Sequence, residues 1–228
     1  MKTLIIIPAF NERGNIQSVV ELVKEKCSFC DYVIINDGST DGTKELCLKN
    51  GYNVISHPLN MGLSAAVQTG MLYALIHGYD AAIQIDGDGQ HNPEYIKDMI
   101  PYIENGYDMV IGSRFKGKKR PKTIRMFGSR LLSFAIRITT KTVVSDPTSG
   151  MRMYNKEIIK KIAENADLGP EPDTVALLIR RGARSFEIPV VMRNRTMGES
   201  YFGPASSIGY MMRMVLSILV LQWFRRGY

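Results

Sequence analysis

Residues 81–91 read AAIQIDGDGQH, an apolar run that ends in two aspartates. A short run of this kind, bounded by turn residues, is typical of a strand that is buried in a sheet. Gly87 and Gly89 allow the backbone to turn directly after it. Asp86 and Asp88 are therefore predicted to stand together at the end of a buried strand, Ala81–Ile85.

Three more apolar runs precede this stretch, at residues 3–7, 32–36 and 54–56, and helical patterns at residues 15–26, 41–50 and 64–77 separate the four runs. This alternation predicts a mostly parallel sheet covered by helices on both faces. Ligands of such sheets bind beyond the carboxyl ends of the strands. We therefore expect one crevice to be formed by the four polar segments that follow the strands, at residues 8–12, 37–42, 57–62 and 86–91.

Composition excludes a disordered chain, since 45% of the 228 residues are hydrophobic and 22% are charged. The net charge of +7 is unevenly distributed. Residues 114–141 carry ten Lys and Arg and no acid, and residues 174–228 carry eight Arg against two Glu. Together these segments hold +16, which leaves −9 on the rest of the chain. The second half is thus predicted to meet an anion.

The three cysteines, Cys27, Cys30 and Cys47, cannot form a disulfide framework, and their odd number favours a reducing, cytosolic compartment. Cys27 and Cys30 form a lone C-x-x-C without a second pair at zinc spacing, which favours structural thiols over a metal or redox site. The apolar run at residues 4–7 is too short for a secretion signal. We therefore expect a cytoplasmic protein.

Asp86 and Asp88 also predict a metal site. Two close carboxylates repel each other, and a divalent cation with oxygen ligands relieves that repulsion. Mn²⁺ or Mg²⁺ would leave coordination positions open for phosphate oxygens. Gln90 could add a carbonyl oxygen. His91, which has no serine or cysteine partner nearby in sequence, is predicted to be a local hydrogen-bonding residue.

Six motifs in order resemble those of the family-2 glycosyltransferases of the GT-A fold, and most closely the dolichyl- and polyprenyl-phosphate sugar transferases. They are PAFNE, NDGSTDGT, the run Asn60–Ala66, IDGDGQH, GSR at 112–114 and DPTSGMRMY at 146–154. The resemblance implies an α/β, Rossmann-like fold with a mostly parallel central sheet flanked by helices. We expect a catalytic domain at residues 1–203, with a nucleotide-sugar half (1–113) and an acceptor half (114–203), followed by a C-terminal amphipathic, interfacial helix at 204–228.

The resemblance also implies which residues bind the donor. Asp86, Asp88 and Gln90 would hold the metal that bridges the donor diphosphate, and Asp88 is assigned to catalysis with it. Such a metal stabilises the negative charge that develops as a nucleoside diphosphate departs. Asp37 would accept hydrogen bonds from the nucleobase. The full set of donor-nucleotide residues is Pro8, Ala9, Asn11, Glu12, Asp37, Asn60, Gly62 and Asp86.

The acceptor phosphate would be bound in the second half, where arginine offers a planar fork suited to phosphate oxygens. The residues assigned to it are Arg114, Arg152, Arg193, Arg195 and Ser200. For Arg125, Arg130 and Arg137, an amphipathic helix with a solvated or membrane-facing basic side is the preferred interpretation.

Glu171 and Asp173 are the candidates for a general base. A sugar hydroxyl must lose a proton as it attacks and needs a nearby carboxylate, whereas a lipid monophosphate is already anionic. Asp173 is the better candidate on sequence grounds. Glu171 would instead order its loop or cap the helix predicted at residues 174–181.

The leading hypothesis is a metal-dependent, inverting transfer of a sugar from a UDP-, GDP- or dTDP-linked donor to undecaprenyl or dolichyl phosphate, for cell-surface glycan and cell wall polysaccharide synthesis. An alternative is extension of a lipid-linked saccharide by hydroxyl attack, with Asp173 as base. A basic nucleic-acid-binding protein, suggested by the pI of about 9.3, is disfavoured because the basic run KGKKRPK has no interleaved aromatic residues.

The C-terminal segment at residues 208–224 is mostly apolar but is interrupted by Arg213 and Gln222. It is shorter than the roughly twenty apolar residues of a spanning helix. We expect it to lie on the inner face of the cell membrane or to bind a small integral membrane protein, with a homo-oligomer as a further option. A terminal helix packed on the protein's own core is the alternative.

Overall fold

The computed structural model describes residues 1–118, 124–193 and 204–224, with the backbone alone at residues 124, 125 and 204–208. Within these residues the chain forms seven strands and eight α-helices. In chain order they are β1 (Thr3–Ala9), α1 (Ile16–Lys26), β2 (Asp31–Asn36), α2 (Thr43–Lys49), β3 (Val54–Ser56), α3 (Leu63–Ile76), β4 (Ala81–Gln84), α4 (Ile96–Glu104), β5 (Met109–Ser113), α5 (Ile124–Thr140), β6 (Arg152–Asn155), α6 (Lys156–Glu164), α7 (Pro172–Arg180), β7 (Ser185–Pro189) and α8 (Pro204–Leu219).

The strands form one sheet in the order β3-β2-β1-β4-β6-β5-β7. β1 runs parallel to both β2 and β4, β2 to β3, and β5 to β7. The predicted mostly parallel sheet is therefore confirmed. The exception is β6, which lies antiparallel between β4 and β5. The apolar runs that predict β1 to β4 do not include β6, which begins with the charged Arg152.

Helices cover both faces of the sheet. Because the side chains of a strand point alternately to the two faces, neighbouring residues of β1 belong to different cores. Leu4 and Ile6 of β1 pack in a core with α3 and α5–α8, whereas Ile5 and Ile7 pack in a second core with α1, α2 and α4. All seven residues of β1 are buried. Pro8 and Ala9, expected just beyond this strand, are its last two residues and pair with β2.

The C-terminal helix α8 has two different sides. Met214, Val215 and Ile218 belong to the core, where α8 packs against α5 and α7. Met212 and Leu216 are 59% and 57% exposed on the opposite side. Packing on the protein's own core, the alternative expectation, is thus correct for one side of this helix. None of the helices within the described residues has both the length and the apolar character needed to cross a membrane.

Candidate active site

The polar strand ends meet in one cavity of about 590 Å³. It lies at the carboxyl edge of β1, β2 and β4, where the alternating pattern predicted a crevice. The predicted donor residues that line it are Pro8, Ala9, Glu12, Asp37, Asn60, Gly62 and Asp86, together with Asp88 and Gln90 of the predicted metal set.

Asn11 is the predicted donor residue that does not line this cavity. It is exposed, with a φ of +54°. Its backbone N–H donates to Ser39 Oγ (3.0 Å), and its Oδ1 accepts from the backbone N–H of Thr40 (2.9 Å). Asn11 therefore ties the loop after β1 to the loop after β2.

Asp37 is 3% exposed and holds the loop that follows β3. Its Oδ1 lies 2.7 Å from His57 Nδ1 and accepts from the backbone N–H of Met61 (2.9 Å), while its Oδ2 accepts from that of Gly62 (2.7 Å). On the far side of the ring, His57 Nε2 lies 2.9 Å from Thr69 Oγ1 on α3. Since a carboxylate has about four acceptor positions, Asp37 keeps room for about one more donor from the cavity.

Asp86 is held from two sides. Gln84, the last residue of β4, donates its Nε2–H to Asp86 Oδ1 over 2.8 Å. His91 is buried, its Nδ1 accepts the backbone N–H of Asp86 (3.0 Å), and its Nε2 lies 3.7 Å from Asp86 Oδ2. The prediction that His91 is a local hydrogen-bonding residue is confirmed. A Cβ at Gly150 would lie 2.9 Å from Asp86 Oδ2, so glycine leaves that oxygen uncrowded.

Asp88 stands at the turn that follows, where its Oδ1 accepts the backbone N–H of Gln90 (3.0 Å). Asp86, Asp88 and Gln90 together offer hard oxygen donors on the cavity wall, and the Asp86 side chain is 37% exposed there. This donor chemistry fits Mn²⁺ or Mg²⁺. Within the described part of the chain, no three His, Cys, Asp or Glu side chains gather as a metal cage.

Glu171 and Asp173 point to different surroundings, although only one residue separates them. Glu171 lines the cavity, and its Oε1 accepts the hydroxyl of Ser64 on α3 over 2.5 Å. It occupies the N-cap position of α7 without a side-chain capping bond. Asp173 is 5% exposed and accepts the hydroxyl of Ser217 on α8 over 2.6 Å. This placement corrects the sequence-based ranking, because Glu171 is the acid that faces the cavity.

Arg114 is already paired. Its Nε and one terminal nitrogen donate to the two oxygens of the fully buried Asp146 over 2.6 and 2.7 Å. The same nitrogen also donates to Thr148 Oγ1 (2.9 Å). Its fork therefore holds the turn at 146–148, and contact of Arg114 with an acceptor phosphate stays a prediction.

A second chamber of about 200 Å³ adjoins the cavity, and both are bounded by Leu63, Asp86, Pro170 and Tyr210. The predicted acceptor residue Arg152 lies in its wall and is 2% exposed. Its terminal nitrogens donate to the carbonyls of Pro147 (2.7 Å) and Pro170 (2.7 Å), which fixes the loops on either side.

Two residues that line the chamber each carry a buried polar atom without a partner among the described residues: Arg152, at its Nε, and Ser129 on α5, at its Oγ. An unpaired buried donor costs about 1–3 kcal/mol. Burial raises the pKa of Tyr210, at the junction of cavity and chamber, to about 12. Its phenol is therefore protonated at neutral pH. The residues that line the chamber thus include one arginine and the hydroxyl-bearing Ser129 and Tyr210.

The third arginine, Arg193, is exposed, and its backbone N–H donates to the carbonyl of Gln90 over 2.9 Å. This bond brings the segment after β7 onto the loop of the predicted metal site. Arg195 and Ser200 lie outside the described residues, as does the side chain of Arg125.

The cysteines are free thiols. Burial raises the pKa of Cys27 to about 11 and that of Cys30 to about 12. Both thiols are protonated at neutral pH, as structural thiols are.

Comparison with known proteins agrees with the motifs. The model of glycosyl transferase family 2 matches residues 4–163. The chain belongs to this family. It is 29% identical to polyprenol monophosphomannose synthase of Mycolicibacterium smegmatis, over 87% of this chain and 80% of that protein. It is 33% identical to the UDP-N-acetylglucosamine–dolichyl-phosphate N-acetylglucosaminyltransferase of Methanococcus voltae, over 70% and 72% of the two chains.

A solved structure shares the fold of this glycosyltransferase. It is glucosyl-3-phosphoglycerate synthase from Mycobacterium tuberculosis in complex with Mn²⁺, uridine diphosphate and phosphoglyceric acid. The TM-score is 0.72 at 20% identity, over 99% of this chain and 80% of that one. The predicted GT-A fold is confirmed by this match.

Four residues that sequence reasoning did not assign complete the site: Gln84, His57, Ser64 and Ser129. Gln84 is a polar residue within an apolar strand, which is a signal that the sequence does contain. Ser64 and Ser129 lie on helices, and only the fold brings them to the cavity and the chamber.

Proposed function

We propose that the protein transfers a sugar from a nucleotide sugar to a polyprenyl phosphate, with inversion at the anomeric carbon and with the help of a divalent metal. The observation that carries this proposal is the pairing of two compartments. The cavity with Asp86 and Asp88 adjoins a chamber lined by Arg152 and Ser129, which each carry a buried polar atom without a partner among the described residues.

The donor would occupy the larger cavity. A nucleobase with a ring N–H, such as that of uracil, thymine or guanine, suits the acceptor position left on Asp37. Asp86, Asp88 and Gln90 would hold Mn²⁺ or Mg²⁺, which supplies Lewis-acid stabilisation of the diphosphate charge. The nucleotide-binding and metal-binding roles of these residues belong to this proposal.

The acceptor phosphate would occupy the chamber, where Arg152 and Ser129 offer donors. A phosphate oxygen then attacks the anomeric carbon, and the bond from that carbon to the donor diphosphate breaks with its electron pair on the diphosphate. A single displacement of this kind inverts the anomeric centre. Because the attacking oxygen already carries charge, the step needs no general base.

Transfer to the hydroxyl of a lipid-linked saccharide is the second candidate. It is favoured by one observation, the carboxylate of Glu171 on the cavity wall, held by Ser64. An attacking hydroxyl requires such a base within hydrogen-bond reach. Asp173, the candidate favoured on sequence grounds, is buried against Ser217 of α8 and is not among the residues that line the cavity.

Related proteins support the lipid acceptor. The two relatives named above carry polyprenol monophosphomannose and dolichyl phosphate in their names, with mannose in one and N-acetylglucosamine in the other. The acceptor class is thus shared while the sugar differs. We infer that this enzyme works peripherally on the inner face of the cell membrane, in cell-surface glycan synthesis.

The test is an acceptor comparison with purified protein, Mn²⁺ and a panel of UDP-, GDP- and dTDP-sugars. We expect release of one nucleoside diphosphate only when polyprenyl monophosphate is present, and none with the matched polyprenol. Product formed only with a lipid-linked saccharide would replace the proposal with its alternative. Loss of product in Asp88→Asn, with a correctly folded variant, would tie the reaction to this cavity.

A further inference from the structure

Helices α5 and α8 present exposed apolar side chains on their outer sides. Phe127, Phe134 and Ile138 of α5 are 69%, 60% and 59% exposed. Their spacing of seven and four residues places them in one stripe along the helix. On α8 the corresponding stripe is Met212, Leu216 and Leu219. Large apolar side chains gathered in this way, rather than scattered singly, mark an interaction surface.

The two stripes lie on helices that are neighbours in the fold. α5 and α8 pack against each other and both pack on α7, which is buried from Pro172 to Ile179. A Cβ at Gly128 of α5 would lie 2.9 Å from Met211 Cγ of α8, so the helices approach closely there. We call the exposed apolar residues of these two neighbouring helices the α5–α8 face. Trp223 and Phe224, 62% and 79% exposed, follow α8 in the chain, and the Arg180 guanidinium at the end of α7 lies 4.6 Å from the centre of the Trp223 ring.

The charges beside this face are positive. Arg130, Arg137 and Lys141 are exposed along and just after α5, and Arg213 is exposed on α8. Neither helix sequence contains an acidic residue. An apolar stripe with basic flanks is the pattern of a helix that lies in the headgroup region of an anionic bilayer. A symmetric contact between two copies would instead bring these like charges together.

We propose that the α5–α8 face docks the protein on a bilayer that contains anionic lipids. The chamber supports this orientation, because Met126 and Ser129 of α5 and Tyr210 and Met211 of α8 form part of its wall. If the phosphate of a lipid occupies the chamber, its hydrocarbon chain would extend between α5 and α8 into the bilayer. This consequence rests on the proposed function, whereas vesicle binding itself does not require any transfer.

The chain has one tryptophan, which makes the test direct. Sedimentation with phosphatidylcholine vesicles, with and without phosphatidylglycerol, measures binding. Tryptophan fluorescence reports whether Trp223 enters the bilayer. We expect binding that requires phosphatidylglycerol, falls with added salt and shifts the emission to the blue. Absence of binding to anionic vesicles, or binding without an emission shift, would overturn the proposal.

The variant is Phe134→Glu with Ile138→Glu, and its matched control is Leu72→Glu with Ile76→Glu on α3, at positions 44% and 70% exposed. If these two apolar side chains are buried in the bilayer in the bound state, their replacement should lower the affinity for vesicles on the order of 100-fold. We expect that loss in the first variant only, with both variants folded as judged by circular dichroism. Equal loss in the two variants, or a dimer in light scattering that only the first variant abolishes, would refute docking of this face on lipid.

Transfer to a short-chain, water-soluble polyprenyl phosphate separates the two proposals. The Phe134→Glu, Ile138→Glu variant should keep this transfer while losing vesicle binding. Wild-type protein that binds anionic vesicles through this face but transfers no sugar would refute the proposed function alone.

Discussion

His57 is predicted to set the donor affinity of the cavity without touching the donor. Its Nδ1 lies 2.7 Å from Asp37 Oδ1, and Thr69 engages its other nitrogen at 2.9 Å. Thr69 can donate to Nε2, which leaves the proton on Nδ1 to be donated to Asp37. The imidazole thus fixes the orientation of the carboxylate that the proposal assigns to the nucleobase.

Replacement of His57 by alanine removes one hydrogen bond to a charged group, a change of about 1.5–3 kcal/mol. Asp37 keeps the backbone N–H groups of Met61 and Gly62. Only part of this free-energy loss should therefore appear as weaker binding of the nucleoside diphosphate. We expect the nucleoside diphosphate of the preferred donor to bind about tenfold more weakly, which is about 1.4 kcal/mol.

Calorimetric titration of the nucleoside diphosphate in the presence of Mn²⁺ measures this change. His57→Asn is the matched variant, because its side-chain amide provides an N–H close to the position of Nδ1. It should recover most of the affinity, and Thr69→Val should lose less than His57→Ala. Wild-type affinity in a folded His57→Ala variant, or an Asn variant as weak as the Ala variant, would refute the positioning role.

Three further predictions concern the metal site, the acids and the core. Gln84→Leu removes the donor to Asp86 Oδ1, so Mn²⁺ binding followed by calorimetry should weaken about tenfold, in line with the loss of a supporting hydrogen bond behind a metal ligand; unchanged affinity would contradict this role. Glu171→Gln should abolish any transfer to a sugar hydroxyl and leave transfer to polyprenyl phosphate largely intact. Asp173→Asn should mainly lower the stability of the protein, because Asp173 accepts a hydrogen bond from Ser217. An Asp173→Asn variant of normal stability that has lost hydroxyl transfer would reverse the assignment of the base. Gly70→Ala should lower the free energy of unfolding, measured in urea, by about 1–3 kcal/mol, because a Cβ there would lie 2.3 Å from Ile6 Cγ2. At Gly209 a Cβ meets no atom within 4 Å, so Gly209→Ala should raise the free energy of unfolding by up to about 1 kcal/mol. A change of the same sign in both variants would contradict the packing argument.

The sequence predicted the donor half of the fold well because its signals there are local. Each buried strand is a continuous apolar run, and the polar residues that follow it reach the same edge of the sheet whatever the details of packing. The strand β6 was missed for the opposite reason. Its first residue, Arg152, has a guanidinium that is buried because it donates to the backbone carbonyls of Pro147 and Pro170. No hydrophobic pattern in the sequence predicts these two partners.

Side-chain direction was the other feature beyond the reach of sequence. Glu171 and Asp173 are two positions apart at the start of α7, so their side chains point in different directions. Glu171 lines the cavity, whereas Asp173 contacts α8. Arg114 was assigned to a phosphate on the family resemblance, and its ion pair with the buried Asp146, thirty-two positions away, was not predicted. Contacts between residues so far apart in sequence are set by the tertiary structure and cannot be read from local sequence patterns.

The most direct test of the central claim is the mass of the lipid product formed from polyprenyl monophosphate and the preferred nucleotide sugar. We expect a product heavier than the acceptor by one sugar residue, linked through its phosphate and formed in equal amount with the released nucleoside diphosphate. Nucleoside diphosphate released with the lipid mass unchanged, or a mass increase on the dephosphorylated polyprenol, would contradict transfer to a phosphate in the chamber beside Asp86.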